Sequence, residues 1–171
     1  MMKKTLSLAA ALLLCLMTLS SAFAAPEDYV GKALDDFTVP LTDGTEFILS
    51  EALKTHELVL INLWATWCPP CRAEFPFLEE AWGQYKDKVC VVALSVEAKD
   101  TMDVISKFAE QYGLTFLMGR DETNLFGRLG GMYIPTTLIV GADRKVLSVE
   151  VGGKPSVSAF SEWFDRCLTK E

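Results

Sequence analysis

The sequence is poor in histidine and in positive charge. It holds a single histidine, His56, and its 16 lysines and arginines are outnumbered by 23 aspartates and glutamates, which gives a formal net charge of −7 at pH 7. A nucleic-acid-binding domain needs a basic face, so this balance argues against a nucleic-acid partner. Internal repeats and low-complexity tracts are also lacking. At 171 residues, 50% of them hydrophobic, the chain suits one domain with a sizeable core, with or without a leader.

The first 24 residues differ in kind from the rest. A basic start precedes an apolar run over residues 5–19, and an A-x-A pattern ends at Ala24. This order is typical of a secretory signal peptide, cut here after Ala24. A retained membrane anchor is the alternative, because residues 5–25 are just long enough to span a bilayer. We expect a periplasmic or otherwise extracytoplasmic protein, in a compartment where disulfides persist.

The remaining chain predicts one α/β domain. Residues 25–36 are polar and are expected as a short tether before a domain over residues 37–171. Strands that alternate with helices imply a parallel sheet core with helices on both faces, followed here by an antiparallel-style pair of strands and a final helix. The predicted elements are, in order, a hairpin over 37–49 that turns at Asp43-Gly44, a helix over 51–55, a strand over 58–64, a helix from 68 to about 85, a strand over 89–96, a helix over 100–113, a strand over 115–118, a helix over 121–129, strands over 136–140 and 144–151, and a helix over 157–168.

Two cysteines separated by two prolines follow the buried strand over residues 58–64. Proline is tolerated in the first turn of a helix, so Cys68 is predicted at the N-cap of a helix. There its sulfur faces the positive end of the helix dipole, which favours the thiolate. Cys71, one turn further, is expected on the same face and largely shielded. An outer thiolate that attacks a disulfide and an inner thiol that resolves the mixed disulfide are what thiol–disulfide exchange requires.

The two prolines between the cysteines indicate the direction of the reaction. Pro69 and Pro70 have no N–H group, so two donors that could stabilise a Cys68 thiolate are missing. A strong oxidant owes its power to a stabilised reduced form. We therefore predict that Pro69 and Pro70 tune the pair towards a reductant.

Other uses of a CxxC pair fit the sequence less well. A structural zinc site needs four ligands at metal spacing, and the chain adds only isolated Cys90, Cys167 and His56, so no metal is expected. A structural disulfide would close a very small loop and stabilise little, and it would not explain the strand–helix junction. A module that only binds would not need both cysteines. Cys90 and Cys167 are expected as buried core residues, with a disulfide between them as the alternative.

The extended motif WATWCPPCRAEFP, residues 64–76, resembles the active site of the TlpA/ResA-like branch of extracytoplasmic thioredoxins. The resemblance covers essentially all of the chain after the leader, from VGKALDDFTV to IPTTLIV. It implies a thioredoxin fold: a central mixed β-sheet flanked by helices, with an N-terminal β-hairpin extension and an inserted βα element. It also implies thiol–disulfide exchange on disulfide-containing exported proteins without a cofactor. Cytochrome c maturation is a known task of the branch, and its electrons usually come from a membrane thiol reductase of the DsbD or CcdA kind.

The resemblance also implies roles for single residues. Cys68 matches the nucleophile and Cys71 the resolving thiol of a redox-active Cys68–Cys71 disulfide. Trp67 matches the ring that flanks the nucleophile. Pro135, after Ile134, matches a cis-proline that lies against the cysteine pair and leaves a backbone edge free to hold a substrate strand.

One position separates the branches of this family. Ordinary thioredoxins bury an aspartate six residues before the first cysteine, and this chain has Asn62 there. Glu74 instead resembles the buried acid of the ResA-like branch, on the helix face of Cys71. A buried carboxyl has a raised pKa and could exchange a proton with Cys71. The alternative is an exposed helix glutamate that contributes a few tenths of a kcal/mol near the N-terminus.

The segment before Pro135 departs from the specialists in haem-protein maturation. It reads GGMY where a GVYG-like stretch would be expected, so a broader substrate range is as consistent with the sequence as apocytochrome c.

Three rival functions remain open. The same cysteines could act in an oxidase or isomerase. A peroxiredoxin-like peroxidase would want a Pro-x-x-x-Thr-x-x-Cys setting, which we do not find, and a non-catalytic assembly factor would tolerate loss of both cysteines.

Overall fold

The computed structural model describes residues 25–169 of the chain. The predicted leader, residues 1–24, lies outside the described residues. Within the described residues, seven strands and five α-helices follow one another, together with 3-10 turns at Pro26–Tyr29 and Ala142–Arg144. The strands are β1 (Thr38–Pro40), β2 (Glu46–Ile48), β3 (Leu58–Trp64), β4 (Val89–Ser95), β5 (Leu117–Arg120), β6 (Thr136–Val140) and β7 (Val146–Val151). The helices are α1 (Leu49–Thr55), α2 (Pro69–Trp82), α3 (Met102–Tyr112), α4 (Leu125–Arg128) and α5 (Val157–Leu168). Within residues 25–169, no helix combines the length and apolarity needed to cross a membrane.

Five strands form a mixed sheet in the order β5-β4-β3-β6-β7. β3, β4 and β5 are parallel, β6 runs antiparallel to β3, and β7 runs antiparallel to β6. β1 and β2 form a separate antiparallel hairpin. In the sequence β5 and α4 come between α3 and β6, and β5 lies at the edge of the sheet. This arrangement confirms the predicted thioredoxin fold, a central mixed sheet flanked by helices with an N-terminal hairpin extension.

The central strand β3 divides the core into two clusters. All seven of its residues are buried, and because side chains alternate along a strand, it supplies both faces of the sheet. Leu58, Leu60 and Trp64 pack with residues of α2, α3 and α5. Val59, Ile61 and Leu63 pack with the hairpin, α1 and α4. β3 is therefore fixed from both sides, and its carboxyl end gives the cysteine pair a rigid base.

Residues 25–36 do not form the expected tether. The Gly31 N–H donates to the Val146 carbonyl oxygen at 2.8 Å, and the Val146 N–H donates to the Lys32 carbonyl oxygen at 2.9 Å. Leu34 is buried in the core cluster of the hairpin face. The physical reason is that Val146, the first residue of β7, lies at the edge of the sheet, where backbone N–H and carbonyl groups lack a neighbouring strand. Gly31 and Lys32 of this polar segment supply the missing hydrogen-bond partners. Polar composition alone did not reveal that pairing.

The opposite edge of the sheet is covered as well. Leu41, next to the hairpin strand β1, forms an antiparallel bridge with Gly119 of β5, and the Thr42 N–H donates to the Met118 carbonyl oxygen at 2.9 Å. A Cβ atom on Gly119 would collide with the Pro40 carbonyl oxygen. Glycine is therefore required where the hairpin crosses this edge.

Two predicted helix boundaries were wrong. α2 ends at Trp82 rather than near residue 85, because the chain turns at Gly83 and the Trp82 indole N–H donates to the Val89 carbonyl oxygen at 2.7 Å. α4 covers four residues rather than the predicted 121–129. Asn124 has a left-handed backbone, with φ 52°, and the Asp121 carboxylate accepts the backbone N–H groups that follow it, so helical geometry begins only afterwards.

Candidate active site

The cysteine pair lies where β3 ends and α2 begins. Cys68 is the N-cap of α2, and its Sγ accepts the backbone N–H of Cys71 at 3.3 Å. Pro69 and Pro70 occupy the first two helical positions. Because neither proline has an N–H group, Cys71 is the first residue of the helix that can donate to the Cys68 sulfur. The two sulfurs are joined in a disulfide.

Both cysteines are buried while the disulfide is formed. Cys68 is 1% exposed and Cys71 is 0% exposed. The Ile134 carbonyl oxygen lies 3.7 Å from Cys68 Sγ and contributes to this cover. The predicted difference in shielding between an outer and an inner cysteine is therefore not present in the disulfide form.

The loop before β6 faces the cysteine pair. The Ile134–Pro135 peptide bond is cis, and the Gly152 N–H donates to the Pro135 carbonyl oxygen at 2.8 Å. Met132 and Tyr133, just before it, are among the exposed large apolar side chains of the described chain. The loop thus brings a backbone carbonyl and exposed apolar side chains to the edge of the site.

Two acids after β4 hold the loop that leads into Cys68. The buried Asp100 carboxylate accepts three hydrogen bonds, from the Thr66 N–H at 2.9 Å, the Thr66 hydroxyl at 2.5 Å and the Ser95 hydroxyl at 2.6 Å. The Glu97 carboxylate accepts the indole N–H of Trp67 at 2.9 Å. Trp67 is 60% exposed beside the disulfide, so Glu97 fixes the direction of an accessible ring. Sequence reasoning missed both acids, although parallel β3 and β4 end at the same edge of the sheet.

Glu74 lies buried in the first turns of α2. It is 1% exposed, so the alternative of an exposed helix glutamate is wrong. Its Oε1 accepts the side-chain N–H of Asn62 at 2.8 Å, and its Oε2 accepts the backbone N–H of Lys154 at 3.0 Å. Burial raises the pKa of Glu74 to about 7, although these two hydrogen bonds and the Lys154 charge favour the ionised form. The carboxyl can therefore both take up and release a proton near neutral pH.

Asn62 replaces the acid of ordinary thioredoxins with an amide that touches Glu74. Its Nδ2 donates to Glu74 Oε1 and to Thr137 Oγ1, both at 2.8 Å. Its buried Oδ1 has no hydrogen-bond partner among residues 25–169. Rotation of the amide would present an acceptor to Glu74 instead of a donor, so Asn62 can serve either protonation state of the carboxyl.

Cys90 and Cys167 are not part of the Cys68–Cys71 disulfide. They belong to the core clusters on opposite faces of the sheet, so a disulfide between them does not form. Burial raises the pKa of the Cys90 thiol to about 11, which keeps it protonated and unreactive at neutral pH. Across the described residues, no group of three or more His, Cys, Asp or Glu side chains is placed to hold a metal ion.

Comparison with known proteins agrees with the geometry of the site. The model of the AhpC/TSA family matches residues 30–149. The thioredoxin-like protein YneN of Bacillus subtilis is 33% identical over 123 residues, which cover 71% of each chain. The thiol-disulfide oxidoreductase ResA of Bacillus thuringiensis is 32% identical over 138 residues, which cover 79% of this chain and 78% of ResA.

A solved structure shares the fold as well. The thiol:disulfide interchange protein of Chlorobium tepidum superposes with a TM-score of 0.69 at 25% identity, over 80% of this chain and 95% of that one. The reaction in that protein's name, thiol:disulfide interchange, is one that the Cys68–Cys71 disulfide at the start of α2 can perform. The chain therefore belongs to the AhpC/TSA family and is, like ResA, a thiol–disulfide oxidoreductase.

Proposed function

We propose that the protein reduces disulfides in exported proteins through the Cys68–Cys71 couple. The observation that carries this proposal is the disulfide at the N-terminus of α2 with the buried Glu74 carboxyl in the same helix. Cys68 is the nucleophile, Cys71 is the resolving thiol, and Glu74 exchanges the proton. The leader pattern supports an extracytoplasmic location, the periplasm in a bacterium with two membranes.

The reaction begins with the reduced pair. The Cys68 thiolate attacks one sulfur of the substrate disulfide, so a mixed disulfide forms and the first substrate sulfur leaves as a thiolate. Cys71 then gives its proton to the Glu74 carboxylate and attacks Cys68 Sγ. The second substrate sulfur leaves, the enzyme holds the Cys68–Cys71 disulfide, and two electrons have passed to the substrate. Glu74 afterwards releases its proton to solvent or to a departing thiolate.

The acidity of Glu74 suits this role. A general base works best when its pKa lies near the working pH, and burial raises the pKa of Glu74 to about 7. A free cysteine has a pKa of about 8.5, so a carboxylate with a raised pKa accepts a thiol proton more readily than an ordinary glutamate does, and attack by the Cys71 thiolate follows the transfer.

The prolines support the reductive direction. With Pro69 and Pro70 at the first two helical positions, one backbone N–H, that of Cys71, reaches the Cys68 sulfur. A thiolate with few donors is less stabilised, so the reduced form gives up its electrons more readily. A membrane thiol reductase of the DsbD or CcdA kind would return the two electrons to the pair.

Substrate would dock beside the cis-proline loop. We assign Trp67, Ile134 and Pro135 to this contact, because Trp67 is exposed and the Ile134 carbonyl lies over Cys68. An extended substrate segment can pair with such a backbone edge. Apocytochrome c, an exported protein with a pair of cysteines, is one candidate substrate in cytochrome c maturation.

The reduction potential of the Cys68–Cys71 couple tests the proposal. Equilibration in defined thiol buffers should give a value of about −270 mV or lower, as in thioredoxin. A value near about −120 mV, as in a strong oxidant, would contradict the reductive direction and favour an oxidase. A Cys68→Ser/Cys71→Ser variant should lose insulin reduction, and rapid peroxide consumption by the wild type would instead favour a peroxidase.

A further inference from the structure

Lys154 lies against Glu74 although it comes from the far end of the domain. It stands 80 residues after Glu74, in the loop between β7 and α5, and its backbone N–H donates to Glu74 Oε2 at 3.0 Å. Two glycines bring it there. Gly152 has φ 98°, and a Cβ atom on Gly153 would lie 3.0 Å from the Pro70 carbonyl oxygen. The loop therefore packs directly on the first turn of α2.

The side chain of Lys154 is buried in the same region. It is 9% exposed, and its ammonium forms an ion pair with the Glu150 carboxylate. The Nζ atom also lies 4.1 Å from the centroid of the Trp163 ring and 5.8 Å from that of Phe160. Contact with ring faces and a carboxylate stabilises a cation that has lost its water. Burial of the stem together with both contacts distinguishes Lys154 from an exposed lysine that only lies over a ring.

The polar surroundings of Glu74 come from three elements. β3 contributes the Asn62 amide, β7 contributes the Glu150 carboxylate, and the loop after β7 contributes the Lys154 N–H and ammonium. Lys154 is the group in this set that carries positive charge. It is also the group that meets Glu74 both by hydrogen bond and by charge.

We propose that Lys154 is a positioning residue for proton exchange at the cysteine pair. Its backbone N–H fixes one oxygen of Glu74, and its buried ammonium, held by Glu150 and Trp163, favours the ionised carboxylate that accepts the Cys71 proton. This inference rests on the proposed role of Glu74. It adds a buried positive charge to the site, supplied by the loop whose Gly152 N–H also donates to the Pro135 carbonyl oxygen.

A lysine-to-methionine exchange isolates the charge. Lys154→Met keeps the apolar stem and the backbone N–H but removes the ammonium. The control is Lys86→Met, because the Lys86 ammonium also lies over an indole ring, 4.4 Å from the Trp82 centroid, but at the opposite end of α2. Lys154→Arg keeps the charge and serves as the conservative variant.

The measurement is the titration of Glu74 itself. Oxidised protein labelled with ¹³C at glutamate side-chain carboxyls is titrated by NMR, and the Glu74 signal is assigned by its loss in Glu74→Gln. We expect Lys154→Met to raise the Glu74 pKa by about half a unit or more, while Lys86→Met and Lys154→Arg stay within about 0.3 units of the wild type. A folded Lys154→Met protein whose Glu74 titrates as in the wild type would overturn the inference, as would an equal shift in Lys86→Met.

The pH profile of disulfide reduction separates this inference from the proposed function. If Glu74 exchanges the proton, the rising limb of the profile moves to higher pH in Lys154→Met together with the Glu74 titration. If the titration moves and the profile does not, Lys154 still controls the ionisation of Glu74, and the role of Glu74 in catalysis is wrong. If Lys154→Met does not fold, a Lys154→Arg protein with a Glu74 titration shifted upward by half a unit or more also contradicts the charge argument.

Discussion

Two buried acids flank the cysteine pair, and they are built differently. Asp100, on the side of Trp67, is 3% exposed and accepts three hydrogen bonds from Thr66 and Ser95. Glu74, on the side of Cys71, is 1% exposed and accepts one hydrogen bond on each oxygen. The two acids are therefore alike in burial and differ in the number of donors that they bind. Three donors tie the Asp100 carboxylate to the loop before Cys68, whereas two donors hold the Glu74 carboxylate in the helix of Cys71.

Asp100→Ala should have the largest effect on stability. The Thr66 N–H, the Thr66 hydroxyl and the Ser95 hydroxyl would lose their shared acceptor, and a buried unpaired donor costs about 1–3 kcal/mol. We expect the free energy of unfolding to fall by about 4 kcal/mol, measured by urea denaturation. Asp100→Asn keeps one acceptor oxygen and should lose about half as much. An Asp100→Ala protein as stable as the wild type would break the distinction between the two acids.

Glu74→Gln should have the opposite effect on stability, and only at higher pH. Because the Glu74 pKa is about 7 in the folded protein against a usual value of 4.5, the unfolded chain ionises first, and the wild type loses stability as pH rises from 4.5 through 7. Glutamine does not titrate, and the rotatable Asn62 amide can accept its N–H. The variant should therefore match the wild type near pH 4 and exceed it by about 3 kcal/mol above pH 7.

The activity of the same variant completes this test. Without a carboxylate to accept the Cys71 proton, disulfide reduction by Glu74→Gln should slow by about 10²-fold at pH 7. Denaturation curves at several pH values and single-turnover reduction of a model disulfide measure the two effects. A stability difference that does not change between pH 4 and pH 8 would contradict the raised pKa.

Ser95→Ala sharpens the comparison by making Asp100 more like Glu74. It removes one of the three donors and leaves the carboxylate with two, both from Thr66. One hydrogen bond to a charged group contributes about 1.5–3 kcal/mol. Removal of the Ser95 hydroxyl should therefore lower the free energy of unfolding by about 1.5 kcal/mol, measured by urea denaturation. A loss as large as that in Asp100→Ala would mean that the loop depends on Ser95 itself.

Glu97→Gln should have the smallest effect, because Glu97 is at the surface. Glutamine can still accept the Trp67 indole N–H through its carbonyl, so the reduction rate should change by less than about twofold. Glu97→Ala releases the ring, and the fluorescence anisotropy and emission maximum of Trp67 should change more than in Glu97→Gln. Equal spectra in both variants would show that the hydrogen bond does not hold the ring.

The parts of this protein that could be predicted are those whose partners are near in sequence. The run of β3, apolar except at Asn62, predicts its bounds to the residue. The prolines after Cys68 fix the start of α2 because they fit only a first turn. Family resemblance, rather than spacing, pointed to the burial of Glu74. Helical periodicity shows which face Glu74 shares with Cys71 but does not show what covers that face.

The rest of the site depends on contacts between distant segments. Asp100 meets Thr66 across 34 residues, and Lys154 meets Glu74 across 80. In the sequence, Asp100 and Lys154 are each a single charged side chain in a loop, and such side chains are ordinarily exposed to solvent. The prediction of a tether over residues 25–36 was wrong for the same reason, since backbone hydrogen bonds of this segment reach Val146 and Arg144, more than 100 residues away.

The crossing of the hairpin over Gly119 affects how the protein meets its clients. Protein substrates whose disulfides are exchanged can be partly unfolded, and strand-forming segments of such chains add readily to an open sheet edge. At Gly119 that edge is already occupied by the protein's own Leu41. A strand-forming segment of another chain cannot extend the sheet there, so the protein's own hairpin closes this part of the β5 edge to edge-to-edge pairing.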